Sequence, residues 1–223
     1  MTSEVLRGAG AHVLVDDVDA PSLADAELHH VFRVLRVGPG ETVTVTDGAG
    51  RWRPCRAGNG EIEPIGEVNQ IARRDRPITV ACSIPKQDRP EWIVQKLTEL
   101  GVDRIVLLHA ERSVVRWNPA RADRHLAKLR RVASEALQQS RGVWLPEIEG
   151  PVPAMEVLPM AAAAEPGAPP IGVDHRVVAI GPEGGWSQAE IAAAATTVSI
   201  GDTVLRVETA AIVAAARMIM HTE

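Results

Sequence analysis

The stretch Ile180-Gly181-Pro182-Glu183-Gly184-Gly185-Trp186-Ser187-Gln188-Ala189-Glu190 decides how the chain is read. It follows the apolar run Val177-Val178-Ala179-Ile180, whose length and β-branched content suit a buried strand. It also opens a helix. Ser187 and Glu190 stand in the capping-box relation, where hydroxyl and carboxylate satisfy backbone N–H groups that a helix start leaves unpaired. Between strand and helix lies a turn with three glycines in five residues, where a ligand can approach the backbone closely. A glycine turn at the carboxyl end of a strand in an α/β domain is where small molecules bind. Alone, such a turn is more often a tight connection that holds nothing. A second unusual stretch, Ile200-Gly201-Asp202-Thr203-Val204-Leu205-Arg206-Val207-Glu208-Thr209-Ala210-Ala211, moves the reading towards a binding site.

Around this pair the chain runs to 223 residues, enough for one large domain or two small ones. With 45% hydrophobic and 24% charged residues, it has the balance of a folded globular protein. No apolar run reaches the ~18 residues of a membrane-spanning helix. Met1-Thr2-Ser3-Glu4-Val5 lacks the basic start and apolar run of a signal peptide. The expectation is a cytoplasmic protein with no membrane partner. Cys55 and Cys82 make neither a disulfide framework nor a zinc spacing, and His29 and His30 have no partners at ligand spacing, so no metal is expected. A net charge of −5 works against wholesale binding of a polyanion, so nucleic-acid contact must come from local patches. With no Tyr and one Phe, base stacking is poorly supplied.

Residues 1–72 read as a small β-rich domain. His12–Val15, Val31–Val37, Thr42–Thr46, Arg51–Arg56 and Glu61–Val68 are strand candidates, and Asp47-Gly48 is a hairpin signal. Short strands separated by glycine turns point to a small barrel. On such a strand Arg33 and Arg36, three apart, would point to opposite faces. Gln70–Pro77 is the expected linker. From residue 73 to 223 strands alternate with helices, the pattern of an α/β domain with a parallel sheet. Ile78–Ile84 and Val102–Leu108 are its first strands. Between them Asp88 is expected to cap a helix, with Glu91 completing a capping box and Gly101 as the stop. Asn118-Pro119 starts the longest helix, which runs to Ser140 and buries Leu126, Leu129, Ala133, Ala136 and Leu137. At about 100° per residue, Arg121, Arg124, Lys128 and Arg131 cluster on another face of it. A solvated face and one that grips phosphates are both open for that stripe. Val198–Ile200 reads as a short strand and Thr209–His221 as the last helix.

Several chemistries lack their motif: there is no Gly-x-Gly-x-x-Gly after a strand, no Walker loop, no Gly-x-Ser-x-Gly and no His-Glu-x-x-His.

"IGPEGGWSQAEI" followed by "IGDTVLRVETAA" resembles the ribosomal RNA small-subunit methyltransferase E family, within the SPOUT superfamily of knotted methyltransferases. Further stretches are similar to that family: His29–Arg36 with Gly38-Pro39-Gly40, Lys86, Gln95–Val102, Glu111-Arg112-Ser113, Gln138–Arg141 and Pro146-Glu147-Ile148. The family usually begins with an aromatic strand where this chain has Val5-Leu6-Arg7, and commonly has Thr where this chain has Val207. The resemblance implies an α/β, SPOUT-type parallel-sheet methyltransferase domain with a C-terminal trefoil knot, preceded by a small PUA-like, RNA-binding β-barrel. Its implied reaction is S-adenosylmethionine-dependent methylation of N3 of a specific uridine in 16S rRNA of the small ribosomal subunit. It further implies a homodimer, with the Thr209–His221 helix as part of the interface.

By matched position, the cofactor pocket would be formed by Ile180, Gly181, Glu183, Gly184 and Gly185 on one wall. Ile200, Gly201, Leu205, Arg206, Thr209 and Ala210 would form the other. Uridine N3 carries a proton and a delocalised lone pair, so the developing anion needs stabilising and the proton needs an acceptor. Arg206 is the candidate for the first task, and Glu208 or Glu183 for the second. The plainer roles are a helix-terminus interaction for Glu208 and loop fixation for Glu183. Candidate RNA contacts are Arg33, Arg36, Lys86, Arg112, Arg121, Arg124, Lys128, Arg131 and Arg141. Two other classes stand beside this one: a catalytically silent RNA-binding module, and a phosphate-binding α/β enzyme using the Gly181–Gly185 loop as an anion cradle. Glu183 inside that loop speaks against the second.

Overall fold

Leu6 decides the first element. It is buried against Trp52 and Val143, and Val5-Leu6-Arg7 lies in a helix, α1 (Thr2–Gly8), where the resemblance implied a strand. The computed structural model describes residues 2–172 and 174–220; His221, the expected end of the last helix, lies outside them. The chain divides into two compact units, Met1–Arg74 with Ser134–Leu145, and Asp75–Ala133 with Pro146–Glu223.

In the first unit β1 (Ala11–Leu14) pairs in parallel with β2 (Thr42–Thr46), which pairs antiparallel with β3 (Arg51–Ala57). Both β4 (Ile62–Pro64) and β5 (Asn69–Gln70) then pair with β3, giving a five-stranded sheet. Val13, Val43, Val31 and Ala57 form one core cluster of this unit, and Val18, Val45 and Cys55 another. The expected strand Val31–Val37 is absent from this sheet. Instead α2 (Asp25–His29) runs into one turn of π-helix, His30–Val34. Its start is fixed by Glu27, whose carboxylate accepts the Ala24 N–H at 2.7 Å, and the helical hydrogen bonds then continue through Leu35 N–H to His30 O at 2.9 Å. Of that segment only Val31 and Val37 are buried, so local bonding overrides the β-branched pattern. Arg33 and Arg36 are therefore not on opposite faces of a strand; both are exposed at the end of this helical turn, Arg36 with φ +57°.

In the second unit β6 (Thr79–Ser83) leads into α3 (Arg89–Glu99), β7 (Arg104–His109) and α4 (Pro119–Ser140), whose residues from Ser134 group with the first unit. There follow β8 (Glu147–Pro153), α5 (Ala154–Val157), β9 (Ala162–Ala164), β10 (Val177–Ile180), α6 (Gln188–Ala193), β11 (Thr196–Val198) and α7 (Val207–Met220). The six strands form one parallel sheet in the order β11-β9-β10-β6-β7-β8. β8 and β9 escaped the sequence reading because the first carries Glu, Gly and Pro and the second is all alanine. Asp88 makes no side-chain cap, and Glu91 closes no capping box, because its Oε1 takes Lys128 Nζ at 2.6 Å instead. Val80, Ile105, Leu107, Ile93 and Leu97 are fully buried, each side chain contributing about 1.5–3 kcal/mol. α7 packs on α3, β6 and β10, burying Ala210, Ala211, Ala214, Ala215 and Met218, so its small-residue face is covered within one subunit.

Candidate functional site

At the carboxyl end of β10 the chain makes a tight turn, with Gly185 N–H donating to Pro182 O at 2.8 Å and Gly185 at φ +70°. The turn delivers Trp186 to the core, 5% exposed, with its indole Nε1 donating to Ala164 O at 3.2 Å. Ser187 then caps α6. Its Oγ accepts Glu190 N–H at 3.3 Å, and Glu190 Oε2 accepts Ser187 N–H at 2.8 Å. The capping box read from the sequence is thus formed, and the glycine turn is held between a buried indole and a closed helix start.

A cavity of about 430 Å³ opens above this turn. One wall is Ile180–Glu183 with Gly185 and Trp186, the opposite wall is Ser199–Gly201 with Thr203–Val207 and Ala210, and Ala164–Pro166 close the end. Most of the expected cofactor residues converge here: Ile180, Gly181, Glu183, Gly185, Ile200, Gly201, Leu205, Arg206 and Ala210. Two do not. Gly184 lies outside the lining and packs against Arg112, whose Nη1 donates to Gly184 O at 3.2 Å. Thr209, exposed on the first turn of α7, also lies outside it. Val207 is buried at the start of α7 and lines the cavity with an apolar surface. The sequence reading missed Ala164–Pro166, Pro182, Trp186, Ser199, Thr203 and Val204. An all-alanine strand gives too weak a signal to mark the loop after it as a wall.

The three candidate catalytic groups separate. Arg206 and Glu183 are exposed at the cavity, the first on the loop before α7 and the second in the glycine turn. Glu208 is turned to α3, where Oε1 lies 3.5 Å from Arg89 Nε, and its Oε2 is buried without a hydrogen-bond partner. It does not line the cavity. An ion pair that ties the first turn of α7 to α3 is its role in this structure.

Among the candidate RNA contacts, Lys86 and Arg121 line one small cavity of the second unit, and Arg121 Nε lies 3.3 Å from His125 Nε2. Arg124 and Arg131 are exposed on α4, while Lys128 is paired with Glu91. Arg112 is exposed beside the glycine turn. Arg33, Arg36 and Arg141 belong to the first unit. Arg141 has φ +58°, and its Nη1 is buried without a partner. Burial pushes the Cys82 thiol up to about 12 and the Cys55 thiol up to about 11, which leaves both protonated and unreactive. Among the described residues no group of His, Cys, Asp and Glu could hold a metal ion, and no helix is long and apolar enough to cross a membrane.

Residues 72–219 match the model of an RNA methyltransferase domain, and residues 23–56 that of an RNA methyltransferase PUA domain, which sets the class. A relative from Mycobacterium bovis named ribosomal RNA small subunit methyltransferase E is 30% identical, over 89% of this chain and 86% of its own length. One of the same name from Synechocystis is 31% identical, over 88% of this chain and 72% of its own. The chain belongs to the ribosomal RNA small subunit methyltransferase E family. The crystal structure of such an enzyme from Neisseria gonorrhoeae, bound to S-adenosyl methionine, aligns with a TM-score of 0.80 at 27% identity, covering 94% of this chain and 97% of that one.

Proposed function

We propose that this chain methylates N3 of a specific uridine in 16S rRNA of the small ribosomal subunit, with S-adenosylmethionine as methyl donor. The observation that carries the reading is the cavity between the Ile180–Trp186 turn and the Ser199–Val207 loop, at the carboxyl end of a parallel strand. Family membership supports the reaction, and a relative bound to S-adenosyl methionine supports the donor.

The residues present suit that ligand. Gly181 has no room for a Cβ, which would meet the Trp186 ring at 2.9 Å, so this wall is a backbone surface whose N–H and C=O groups can read an adenine edge. Glu165 and Glu183, both in the lining, favour a sulfonium cation and repel phosphates, which argues against the anion-cradle alternative. When bound, S-adenosylmethionine supplies an electrophilic methyl group. Arg206 stabilises the charge that develops on a uracil oxygen as N3 loses its proton. Glu183 accepts that proton, and Glu208 acts at one remove by holding α7 against α3. The C-terminal loops form a trefoil knot in this reading. The active molecule in this reading is a cytoplasmic homodimer, and sedimentation at micromolar concentration is the measurement that would check the dimer.

The direct test is a calorimetric titration with S-adenosylmethionine, S-adenosylhomocysteine, NAD and ATP, followed by mass analysis of 16S rRNA after incubation with protein and donor. Binding of the first two alone, with one methyl on a single uridine N3, is the expected result. Tight binding of ATP or NAD in their place would overturn the reading.

A further inference from the structure

We infer that Glu165 is the residue of the cofactor cavity that recognises ribose. Its carboxylate accepts hydrogen bonds from the two adjacent hydroxyls of the adenosine moiety and selects ribonucleosides over deoxyribonucleosides. This rests on the S-adenosylmethionine reading of the cavity and adds a residue that neither the glycine turn nor the loop before α7 supplies.

The loop after β9 holds that residue's backbone in place. β9 lies between β10 and β11 in the sheet, so its carboxyl end opens between the two walls of the cavity. The loop is tied to both sides. Ala164 O accepts the Trp186 indole Nε1–H at 3.2 Å, and Glu165 N–H donates to Val198 O at 2.9 Å. Glu165 then begins a turn, closed by Ala168 N–H donating to Glu165 O at 3.3 Å, with Pro166 second and Gly167 third at φ +81°. This is the pattern of a type II turn, where proline presets one dihedral and glycine takes the positive one. Further on, Ser199 N–H donates to Pro169 O at 2.7 Å and Ile171 N–H to Ser199 O at 3.1 Å.

The side chain, by contrast, is uncommitted. Glu165 is half-buried, lines the cavity and has no hydrogen-bond or ion-pair partner among the described residues. Neither of its oxygens is fully buried. With the cavity empty, water serves them. A ligand that fills the space displaces that water and must bring donors of its own to the same place.

The rest of the lining decides which donors these are. Its other charged side chains, Glu183 and Arg206, are both exposed. The methyl group has to meet the incoming uridine, so the sulfonium and the amino-acid tail belong on that open side. The adenosine then lies towards the end closed by Ala164–Pro166. There the ribose offers two neighbouring O–H donors, and a carboxylate offers two acceptor oxygens. Bonds from a hydroxyl to an ionised acceptor are roughly twice as strong as neutral ones. Dinucleotide-binding folds likewise hold a ribose hydroxyl with a carboxylate.

The test is calorimetric titration of the parental protein and Glu165→Ala with S-adenosylhomocysteine and its 2′,3′-dideoxy analogue. The parental protein should bind the dideoxy compound about tenfold to hundredfold more weakly. Glu165→Ala should lose about as much affinity for S-adenosylhomocysteine and should no longer tell the two ligands apart. 5′-Methylthioadenosine keeps the diol and lacks the amino-acid group, and the substitution should weaken it as strongly. Glu165→Gln retains one acceptor oxygen and should restore part of the preference. Thermal unfolding checks that each variant is folded. A parental protein indifferent to the hydroxyls, or a Glu165→Ala protein that keeps the full ribose preference, would overturn the proposal. So would a loss that spares 5′-methylthioadenosine, which would give the carboxylate to the ammonium group. In each of those cases the parental protein still binds S-adenosylhomocysteine. If it binds neither that compound nor S-adenosylmethionine, the underlying functional reading fails.

Discussion

Glu190 Oε1 accepts the backbone N–H of Glu111 at 2.8 Å, although 79 positions separate the two residues. The same carboxylate closes the start of α6 through Ser187, and Glu190 is only 3% exposed. One buried side chain thus pins the loop after β7 to the glycine turn after β10, and the next residue, Arg112, adds its bond to Gly184 O. Glu190→Ala leaves both N–H groups without an acceptor and should lower unfolding stability by about 2–4 kcal/mol. Glu190→Gln keeps one oxygen and should lose about half as much. Chemical denaturation measures both, and a parental midpoint for the alanine variant would show that the carboxylate adds nothing.

Of the two expected wall glycines Gly181 and Gly184, the first is the less tolerant of a side chain. Gly184 lies outside the cavity, and a Cβ there meets Arg112 Cβ at 3.3 Å. At Gly181 a Cβ meets Trp186 Cε2 at 2.9 Å and Nε1 at 3.0 Å, which would push the indole from its bond to Ala164 O. Overpacking of this kind costs about 1–3 kcal/mol. Gly181→Ala should therefore weaken S-adenosylmethionine binding about tenfold or more, and Gly184→Ala should leave it within about twofold. Calorimetry ranks the two, and the reverse order would misplace the wall.

Arg206→Ala separates binding from turnover. The guanidinium is exposed at the cavity and has no ion-pair partner among the described residues, so its removal should leave the fold intact. Loss of a preorganised charge-stabilising donor typically costs on the order of 10²–10³ in rate. Single-turnover methylation with saturating donor reads this directly. A parental rate would remove Arg206 from the chemistry.

The glycine turn, its strand and the capping box were legible because each rests on local chemistry: Ser187 and Glu190 are three residues apart and interact wherever the fold puts them. The long helix was legible for a similar reason, since Leu129, Ala133, Ala136 and Leu137 repeat at helical spacing and are buried. Glu91 and Glu208 show how a distant partner decides where a side chain goes. Glu91 lies in capping-box register yet pairs with Lys128 on another helix. Glu208 was a candidate base by its position beside Arg206, but Arg89 draws it to α3. Val31–Val37 alternates like a strand, although the helix begun at Asp25 carries on into it. β9 offered no pattern at all, because three alanines take any conformation that their neighbours impose.

His12 makes stability depend on pH. It is buried in the first unit, with Nε2 donating to Gly142 O at 2.8 Å and Nδ1 accepting from Thr44 Oγ1 at 2.8 Å. A carbonyl can only accept, so Nε2 carries the proton of the neutral ring. Burial lowers its pKa from 6.5 to about 4. The folded state therefore binds fewer protons than the unfolded one in between. Stability is complete above pH 6.5 and falls as the pH drops towards 4, by roughly 3 kcal/mol for this group alone. His12→Gln should flatten that part of the profile in urea titrations at successive pH values. An unchanged slope between pH 6.5 and 4 would assign the acid sensitivity elsewhere.

The basic face of α4 asks how a protein of net charge −5 holds RNA. Arg124 is exposed there, with its Nε bonded to Ala120 O at 3.3 Å on its own helix. Lys128 differs: its ammonium already serves Glu91, so Lys128→Glu would set two carboxylates together and disturb α3 as well. Arg124→Glu is the cleaner probe. If the stripe grips phosphates, this variant should bind rRNA more weakly at every sequence. Its salt dependence should become shallower by about one unit of log–log slope, the share of one phosphate contact. Affinity for S-adenosylmethionine should not move, because Arg124 lies outside the lining of the cofactor cavity. Lys128→Met then asks whether the ion pair with Glu91 withdraws that charge from RNA: a smaller loss than for Arg124→Glu is expected. If affinity and salt slope survive Arg124→Glu, the stripe beyond Arg121 is a wetted surface, and electrostatic binding must come from Lys86 with Arg121, from Arg112 or from the first unit.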